Sequence, residues 1–133
     1  MAAGLDRGRL ELYLPAAGSA VAQARAAVDR LEALDPHPEA RFAVRLLVSE
    51  LFTNAVKYGS QLEEARIRLS IEVGASEVRV EIGDLGRGFV AGPVEMPDVD
   101  RESGRGLAFL DALAARWGVV HNGESCVWFE LSL

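Results

Sequence analysis

Residues 64–73 and 78–84, EARIRLSIEV and VRVEIGD, alternate between apolar and polar side chains, strictly so as far as Ile82. Successive side chains of a β-strand point to opposite faces of the sheet, so a period of two predicts two strands with one buried face each. The GASE segment between them predicts the turn of a hairpin. The residues predicted to face the core are Ala65, Ile67, Leu69, Ile71 and Val73 of the first strand and Val78, Val80 and Ile82 of the second.

The same pattern predicts a strand in RLELYL, residues 9–14, and two closing strands in WGVV and CVWFELSL that turn at residues 121–123. Apolar residues at helical spacing predict three helices. The first has Val21, Ala24, Val28 and Leu31 on one side and ends near residues 34–38. The second runs from about Pro38 to Tyr58 and is closed by Gly59. The third has a stripe of Leu107, Leu110, Ala114 and Trp117.

The predicted order is strand–helix–helix–strand–strand–helix–strand–strand. Because each strand is apolar on one face only, we expect helices on one face of a mainly antiparallel sheet. This is an α+β fold, a two-layer α/β sandwich. A length of 133 residues predicts one domain spanning residues 1–133.

The charge and the cysteine content exclude several classes of function. A formal net charge of −6 without Lys/Arg clusters argues against direct binding of nucleic acid or of an anionic membrane. Cys126 is the only cysteine, which rules out an internal disulfide and a cysteine-based zinc site. The chain shows neither a signal peptide nor a membrane-spanning run, so we expect a cytoplasmic protein.

One edge of the second predicted helix has polar side chains beside its apolar stripe. The stripe consists of Val44, Leu47, Val48, Leu51 and Ala55. At about 100° per residue, Glu50, Asn54 and Lys57 lie next to it, neither fully solvated nor in the core. A carboxylate can activate a hydroxyl, a carboxamide oxygen can bind Mg²⁺, and an ammonium group can balance phosphate charge. An ordinary solvated helix flank is the alternative interpretation.

Two glycine-rich segments offer further contacts for a ligand. In EIGDLGRGF, Asp84 ends a strand and is followed by Gly86 and Gly88, which let a ligand approach the backbone. The carboxylate of Asp84 can accept a hydrogen bond from an exocyclic amine such as that of adenine. A plain turn is the alternative.

In ESGRGLAFL, the sequence Gly104–Arg105–Gly106 leads into the third predicted helix. The free N–H groups and the dipole at a helix N-terminus favour an anion such as phosphate, and Arg105 can add positive charge. The alternative is a flexible segment before a helix, with Arg105 in solvent.

Taken in order, the three segments resemble the motifs of the GHKL ATPase superfamily, which includes gyrase, Hsp90, histidine kinases and MutL. ELFTNAVKYG is similar to its N box, DLGRGF to its G1 box and GRGL to its G2 box. The predicted element order agrees with the superfamily's Bergerat fold. Through LLVSELFTNAVKYGS, GRGLAFLDALAARWGV and VWFEL the chain looks most like the anti-sigma factor serine kinases.

The resemblance implies a role for each of these residues. Asp84 would bind the adenine amino group, with Gly86 and Gly88 shaping that end of the site. Asn54 would bind the Mg²⁺ that bridges the phosphates. Glu50 would be the general base, or would orient the attacking hydroxyl. The residues expected near the phosphates are Lys57, Gly104, Arg105 and Gly106.

The function implied is that of an anti-sigma factor that is also an ATP-dependent protein serine/threonine kinase. It would phosphorylate a serine of a STAS-type anti-sigma-factor antagonist and regulate transcription by partner switching. The partners implied are a sigma factor, that antagonist and a second copy of the chain as a homodimer.

Two alternatives remain open. One is a non-catalytic, nucleotide-gated binding module that sequesters a sigma factor or another regulator. The acidic loop over residues 90–103, Tyr58 where this branch often has His, and Ser125–Cys126 where it usually has Thr favour this reading. The other is a small α/β domain that binds no nucleotide.

Overall fold

The structure is a computed structural model that describes residues 2–5, 8–58, 66–84, 104–121 and 125–133. For residues 2–5, 58, 84, 104–107, 121 and 125 it describes the backbone alone. In chain order, the elements are β1 (Ala2–Leu5), β2 (Arg9–Pro15), α1 (Ser19–Asp29), a short 3-10 helix (Glu32–Leu34), α2 (Pro38–Tyr58), β3 (Arg66–Val73), β4 (Glu77–Asp84), α3 (Gly104–Leu113), β5 (Arg116–His121) and β6 (Ser125–Ser132).

The strands form one sheet in the order β1-β2-β3-β4-β6-β5, in which every neighbouring pair is antiparallel. The predicted hairpin is β3–β4, with Ile67 opposite Asp84 and Val73 opposite Val78. The predicted closing hairpin is β5–β6. Of its predicted turn residues 121–123, His121 is the last residue of β5, and 122 and 123 lie outside the described residues. The prediction of an α+β fold with a mainly antiparallel sheet is therefore confirmed.

The core lies between the three helices and one face of the sheet. Of the β3 and β4 residues predicted to face inward, six are buried, Val73 is half-buried and Ala65 lies outside the described residues. Leu10, Leu12 and Leu14 of β2 are buried as well. The buried residues of α1 are mostly alanines, which let the helix approach its neighbours closely. α1 contacts β2, α2 contacts β4 and β6, and α3 contacts β5, so the helices lie side by side across the sheet. Within the described ranges, no helix combines the length and apolarity needed to cross a membrane.

The first helix is shorter than predicted. It ends at Asp29, and the next two buried leucines, Leu31 and Leu34, belong to a turn and to the 3-10 helix. Arg41 of α2 fixes this turn, because its guanidinium donates hydrogen bonds to the carbonyl of Leu31 and to the carboxylate of Asp35. Leu31 is therefore buried together with the apolar residues of α1, but it does not belong to the helix.

Two further predictions differ from the structure, one in the carboxyl-terminal part of the chain and one at its amino end. Trp117 was predicted both on the stripe of the third helix and in the strand WGVV. The helix prediction is wrong and the strand prediction is confirmed, because α3 ends at Leu113 and Trp117 lies in β5. The Ala115 N–H donates to the Glu130 carbonyl at 2.8 Å, so the chain has already joined the sheet there. The predicted order also lacked β1, whose sequence AAGL has no alternation and which pairs with β2 through an irregular register.

The face of the sheet away from the helices has a row of alternating charges, which we call the charge row. Its members occupy directly paired positions on β2, β3, β4, β6 and β5, and they are Arg9, Glu72, Arg79, Glu130 and Arg116. The side chain of Glu130 is only 9% exposed and accepts hydrogen bonds from Arg79 at 2.9 Å and from Arg116. Arg79 also lies 4.5 Å from the ring centroid of Trp128. These contacts join β4, β5 and β6.

We expect Glu130→Gln to lower the free energy of unfolding at neutral pH, because it removes the charge of the buried carboxylate that accepts hydrogen bonds from both Arg79 and Arg116. Hydrogen bonds from Arg79, and then from Arg116, hold the pKa of Glu130 below its ordinary value of 4.5, although burial opposes them. Such a carboxyl group stabilises the fold above its unfolded-state pKa and loses that effect as pH falls through the folded-state pKa.

Denaturant unfolding at a series of pH values tests this expectation. The difference between wild type and Glu130→Gln should be constant near neutral pH and should shrink as the pH falls below 4.5. Glu77→Gln is the control, since its exposed carboxylate lies 3.8 Å from the same Arg116 and should contribute little. A difference that persists unchanged in acid would contradict the assignment.

Gly118 of β5 lies against the indole of Trp128, and a Cβ at this position would be 2.8 Å from the indole Nε1. We expect Gly118→Ala to displace the indole from Arg79 and to lower the free energy of unfolding by about 1–3 kcal/mol. Gly18→Ala is the control, because no atom lies within 4 Å of the added Cβ. That variant should stay within about 1 kcal/mol of wild type. Equal stability of the two variants would show that the indole can move freely.

Candidate functional site

Helix α2 spans Pro38–Tyr58, the range predicted from the sequence. Its sequence suits both ends of a helix, because proline at the first position needs no N–H partner. Glu39 in the first turn and Lys57 in the last turn match the helix dipole. The predicted closing residue Gly59 lies outside the described residues. The apolar side of α2 packs on β4 and β6, and this packing fixes the direction of its polar flank.

Glu50 and Asn54 lie at the boundary between the core and the solvent, as predicted. Their neighbours Leu51 and Phe52 are buried, whereas Glu50 and Asn54 are half-buried and Lys57 is exposed. A spacing of four residues places Glu50 and Asn54 about 40° apart around the helix and about 6 Å apart along it. The two side chains can therefore act on one ligand. The prediction that Lys57 also lies at this boundary is wrong, because its side chain is exposed at the last turn of the helix.

The hydrogen bonding of α2 separates these two residues from their polar neighbours. The hydroxyl of Ser49 donates to the Arg45 carbonyl at 2.8 Å, and that of Thr53 donates to the Ser49 carbonyl at 2.7 Å. These hydroxyls are therefore satisfied by their own helix. In the part of the chain that the structure describes, neither Glu50 nor Asn54 forms a side-chain hydrogen bond or ion pair. A half-buried carboxylate and carboxamide are thus available to a ligand.

Asp84 is the last residue of β4, as predicted. Its backbone is paired on both sides, with Ile67 of β3 and with Ser125 of β6, so its position is fixed by the centre of the sheet. β4 is also a strand that α2 contacts. Gly86 and Gly88 lie outside the described residues, as does the acidic loop over residues 90–103.

Helix α3 begins at Gly104, so Gly104, Arg105 and Gly106 form its first turn. The first N–H groups of a helix have no partner within it and are available to an anion. α3 contacts both α2 and β5. The three segments predicted to form a site therefore belong to α2, to a strand that α2 packs on and to a helix that α2 contacts.

A metal ion at this site would depend on Asn54 and on the ligand itself. Among the described residues there is no group of three or more His, Cys, Asp or Glu that could hold a metal ion. The half-buried carboxamide of Asn54 fits Mg²⁺, which commonly takes one or two protein oxygens and completes its shell with water and phosphate oxygens.

The sequence reasoning missed one contact near this site. The indole Nε1 of Trp117 donates a hydrogen bond to Asp111 Oδ1 at 2.8 Å, which ties α3 to β5. The assignment of Trp117 to the helix concealed this contact. The predicted strand WGVV, with the β-branched pair Val119–Val120 after Gly118, was the correct signal for Trp117.

The antiparallel sheet, the helices on one face and the glycine-led α3 define a nucleotide-binding domain of the Bergerat type. The sequence model of the histidine kinase-like ATPase domain family matches residues 14–131. The chain therefore belongs to that family. This match confirms the resemblance to the GHKL superfamily that we inferred from the N, G1 and G2 boxes.

Two known proteins are similar in sequence to part of this chain. The anti-sigma F factor of Pasteuria penetrans is 35% identical over 89 residues, which are 65% of this chain and 59% of that protein. An uncharacterized protein of Streptomyces coelicolor is 35% identical over 83 residues, 58% of this chain and 72% of that protein. The chain thus matches less than two thirds of the anti-sigma F factor's length. The first similarity agrees with the branch that the sequence resembled.

Proposed function

We propose that this chain binds Mg-ATP between α2, the end of β4 and the start of α3, and phosphorylates a serine of a protein partner. The observation that carries the proposal is the pair Glu50 and Asn54. Both are half-buried on the helix that packs on β4 and contacts α3, and neither has a side-chain partner among the described residues. Membership of the histidine kinase-like ATPase family supports ATP as the ligand.

In this proposal, the carboxylate of Asp84 accepts a hydrogen bond from the adenine amino group, next to Gly86 and Gly88. Asn54 holds Mg²⁺, which neutralises phosphate charge when it is bound. The N–H groups at Gly104–Gly106 bind phosphate oxygens. The residues that add positive charge near the phosphates are Arg105 and Lys57.

Glu50 acts on the attacking group. Its carboxylate accepts the proton of the serine hydroxyl while the serine oxygen bonds to the γ-phosphorus. The bond between the γ-phosphorus and the bridging oxygen breaks, and ADP leaves. Phosphoryl transfer needs mainly positioning and charge neutralisation, so a single carboxylate beside the phosphates is sufficient as the general base. The position of Glu50 one helical turn from Asn54 suits this role.

We propose further that the protein is an anti-sigma factor. Its partners would be a sigma factor and a STAS-type anti-sigma-factor antagonist that receives the phosphate, so that phosphorylation regulates transcription by partner switching. The similarity to an anti-sigma F factor supports this assignment. Residues 1–133 would act as one ATP-binding domain, in the cytoplasm and as a homodimer.

Calorimetric titration of Mg-ATP tests the site. We expect Asp84→Ala to weaken binding by about 10- to 100-fold, because the adenine amino group loses a charged hydrogen-bond acceptor. Asn54→Ala should remove the dependence of ATP affinity on Mg²⁺. The control is Thr53→Ala, whose hydroxyl bonds its own helix and which should bind as wild type does. Equal affinity in Asp84→Ala and wild type would move the adenine elsewhere.

Phosphotransfer separates the kinase from a nucleotide-gated module. With labelled ATP and a STAS-type protein, Glu50→Gln should keep ATP affinity and lose about 10²- to 10⁴-fold in transfer rate, since the amide cannot accept the proton. Glu39→Gln, an exposed change on the same helix, should leave the rate unchanged. Undiminished transfer by Glu50→Gln would exclude Glu50 as the base. ATP binding without any phosphoserine in wild type would favour a non-catalytic module.

A further inference from the structure

The solvent-facing side of α2 is uncharged over about three turns of the helix. At about 100° per residue, four of its residues lie within about 60° of one another, on the side opposite the buried stripe. We call them the uncharged line, and they are Phe42, Leu46, Ser49 and Thr53. Among the described side chains Phe42 is the most exposed large apolar one, at 66%. A surface helix ordinarily has charged and polar side chains on this side, and α2 departs from that pattern.

The two hydroxyl groups of the uncharged line are already used within the helix. Ser49 donates to the Arg45 carbonyl at 2.8 Å, and Thr53 donates to the Ser49 carbonyl at 2.7 Å. Their protons are therefore not available to another molecule. With Phe42 and Leu46 as the other two members, the line offers a partner an apolar contact surface and no side-chain donor.

The charged residues nearest to the uncharged line stand on the two flanks of α2. On one flank, Arg41 pairs with Asp35 at 2.8 Å. Arg45 on the same flank pairs with Asp29, the last residue of α1, at 3.3 Å. Both arginines are thus engaged with α1 and with the turn that follows it. On the other flank the line borders Glu50, the proposed general base.

The uncharged line continues into the proposed phosphotransfer site. One ridge along the surface of α2, with a spacing of four residues, comprises Phe42, Leu46, Glu50 and Asn54. At 1.5 Å per residue, Leu46 lies about 6 Å and Phe42 about 12 Å from Glu50 along the helix axis, on the side away from Asn54. Side chains of a helix lean toward its amino end, so the Glu50 side chain leans toward Leu46. The two apolar residues therefore adjoin the acceptor end of the site and not its metal end.

A protein that presents a serine to Glu50 has to cover this ridge. The serine hydroxyl must come within hydrogen-bond distance of the carboxylate, about 3 Å. A specific protein interface covers about 800 Å² on each partner, which is a patch of roughly 16 Å radius. Leu46 and Phe42 lie within that radius. Because the proposed nucleotide occupies the Asn54 side of Glu50, the protein has to approach from the side of these two residues.

We propose that the uncharged line docks the protein that receives the phosphate, with Phe42 as the main contact and Leu46 beside it. This inference rests on the proposed function and adds to it the chemistry of the partner. The partner's surface is apolar and uncharged within about 12 Å of its phosphoacceptor serine. A charge placed there would lose its water against Phe42 without gaining an ion pair. The line thus selects the substrate, while Glu50 and Asn54 act in the phosphoryl transfer.

Steady-state phosphotransfer to a STAS-type protein at saturating Mg-ATP tests the docking. We expect Phe42→Ala to raise the KM for that protein at least about 10-fold, and Leu46→Ala about 3- to 10-fold, because each removes apolar contact area. The kcat should stay as in wild type, since neither side chain touches the reacting atoms. Phe42→Leu keeps an apolar contact and should hold the KM within about threefold of wild type.

A matched control variant and a binding measurement separate docking from general damage. Val120 of β5 is also an exposed apolar residue, at 42%, and it lies on the face of the sheet away from the helices. Val120→Ala should leave the KM for the protein unchanged. Calorimetric titration of Mg-ATP into Phe42→Ala should give the wild-type affinity, which shows that the fold and the nucleotide site are intact.

The outcomes distinguish the docking from the proposed function. If wild type transfers phosphate and the KM of Phe42→Ala is unchanged, the docking is refuted and the proposed function stands. A lower kcat at an unchanged KM, or weaker ATP binding, would also refute it, because Phe42 would then act on the reaction site. If wild type transfers no phosphate to the STAS-type protein, the proposed function fails, and the docking of a phosphate acceptor fails with it.

Discussion

The apolar face of the sheet has to be removed from water, and the arrangement of the whole molecule follows from how this is done. Alternation makes β2, β3 and β4 apolar on one side only, so one layer of helices is sufficient. α2 takes the central place over β4 and β6. Since its buried stripe includes Val48, Leu51 and Phe52, the rotation of α2 is fixed. The same packing holds Glu50 and Asn54 at the edge of the core.

Much of this arrangement could be predicted because it depends on short-range periodicity. The alternation over residues 64–82 predicted the central hairpin. The stripe from Val44 to Leu51 predicted the buried side of α2, and Pro38 and Gly59 predicted its boundaries. The candidate residues on α2 and β4 followed from these elements. The pattern did not predict the burial or the hydrogen bonding of each side chain. The burial of Phe52, the self-satisfied hydroxyl of Thr53 and the exposure of Lys57 depend on tertiary packing and on local hydrogen bonds.

The wrong predictions have a common physical cause. Leu31 and Trp117 stand at helical spacing from buried residues, but burial alone does not require that the backbone be helical there. In the first case the contacts of Arg41 stop the helix, and in the second the hydrogen bond from Ala115 to Glu130 starts the sheet. Both contacts join residues distant in sequence. β1 was missed because small residues without alternation give no periodic signal.

The charge row has a consequence for how this face of the protein can vary among relatives. Each carboxylate in the row stands between two arginines, so reversing the charge of one member sets like charges directly opposite on adjacent strands. Changing Glu130 to lysine, for example, would align three positive groups. A viable change of sign at one position therefore requires a matching change at its neighbours. The five positions are therefore coupled through their pairing, although they come from five separate strands.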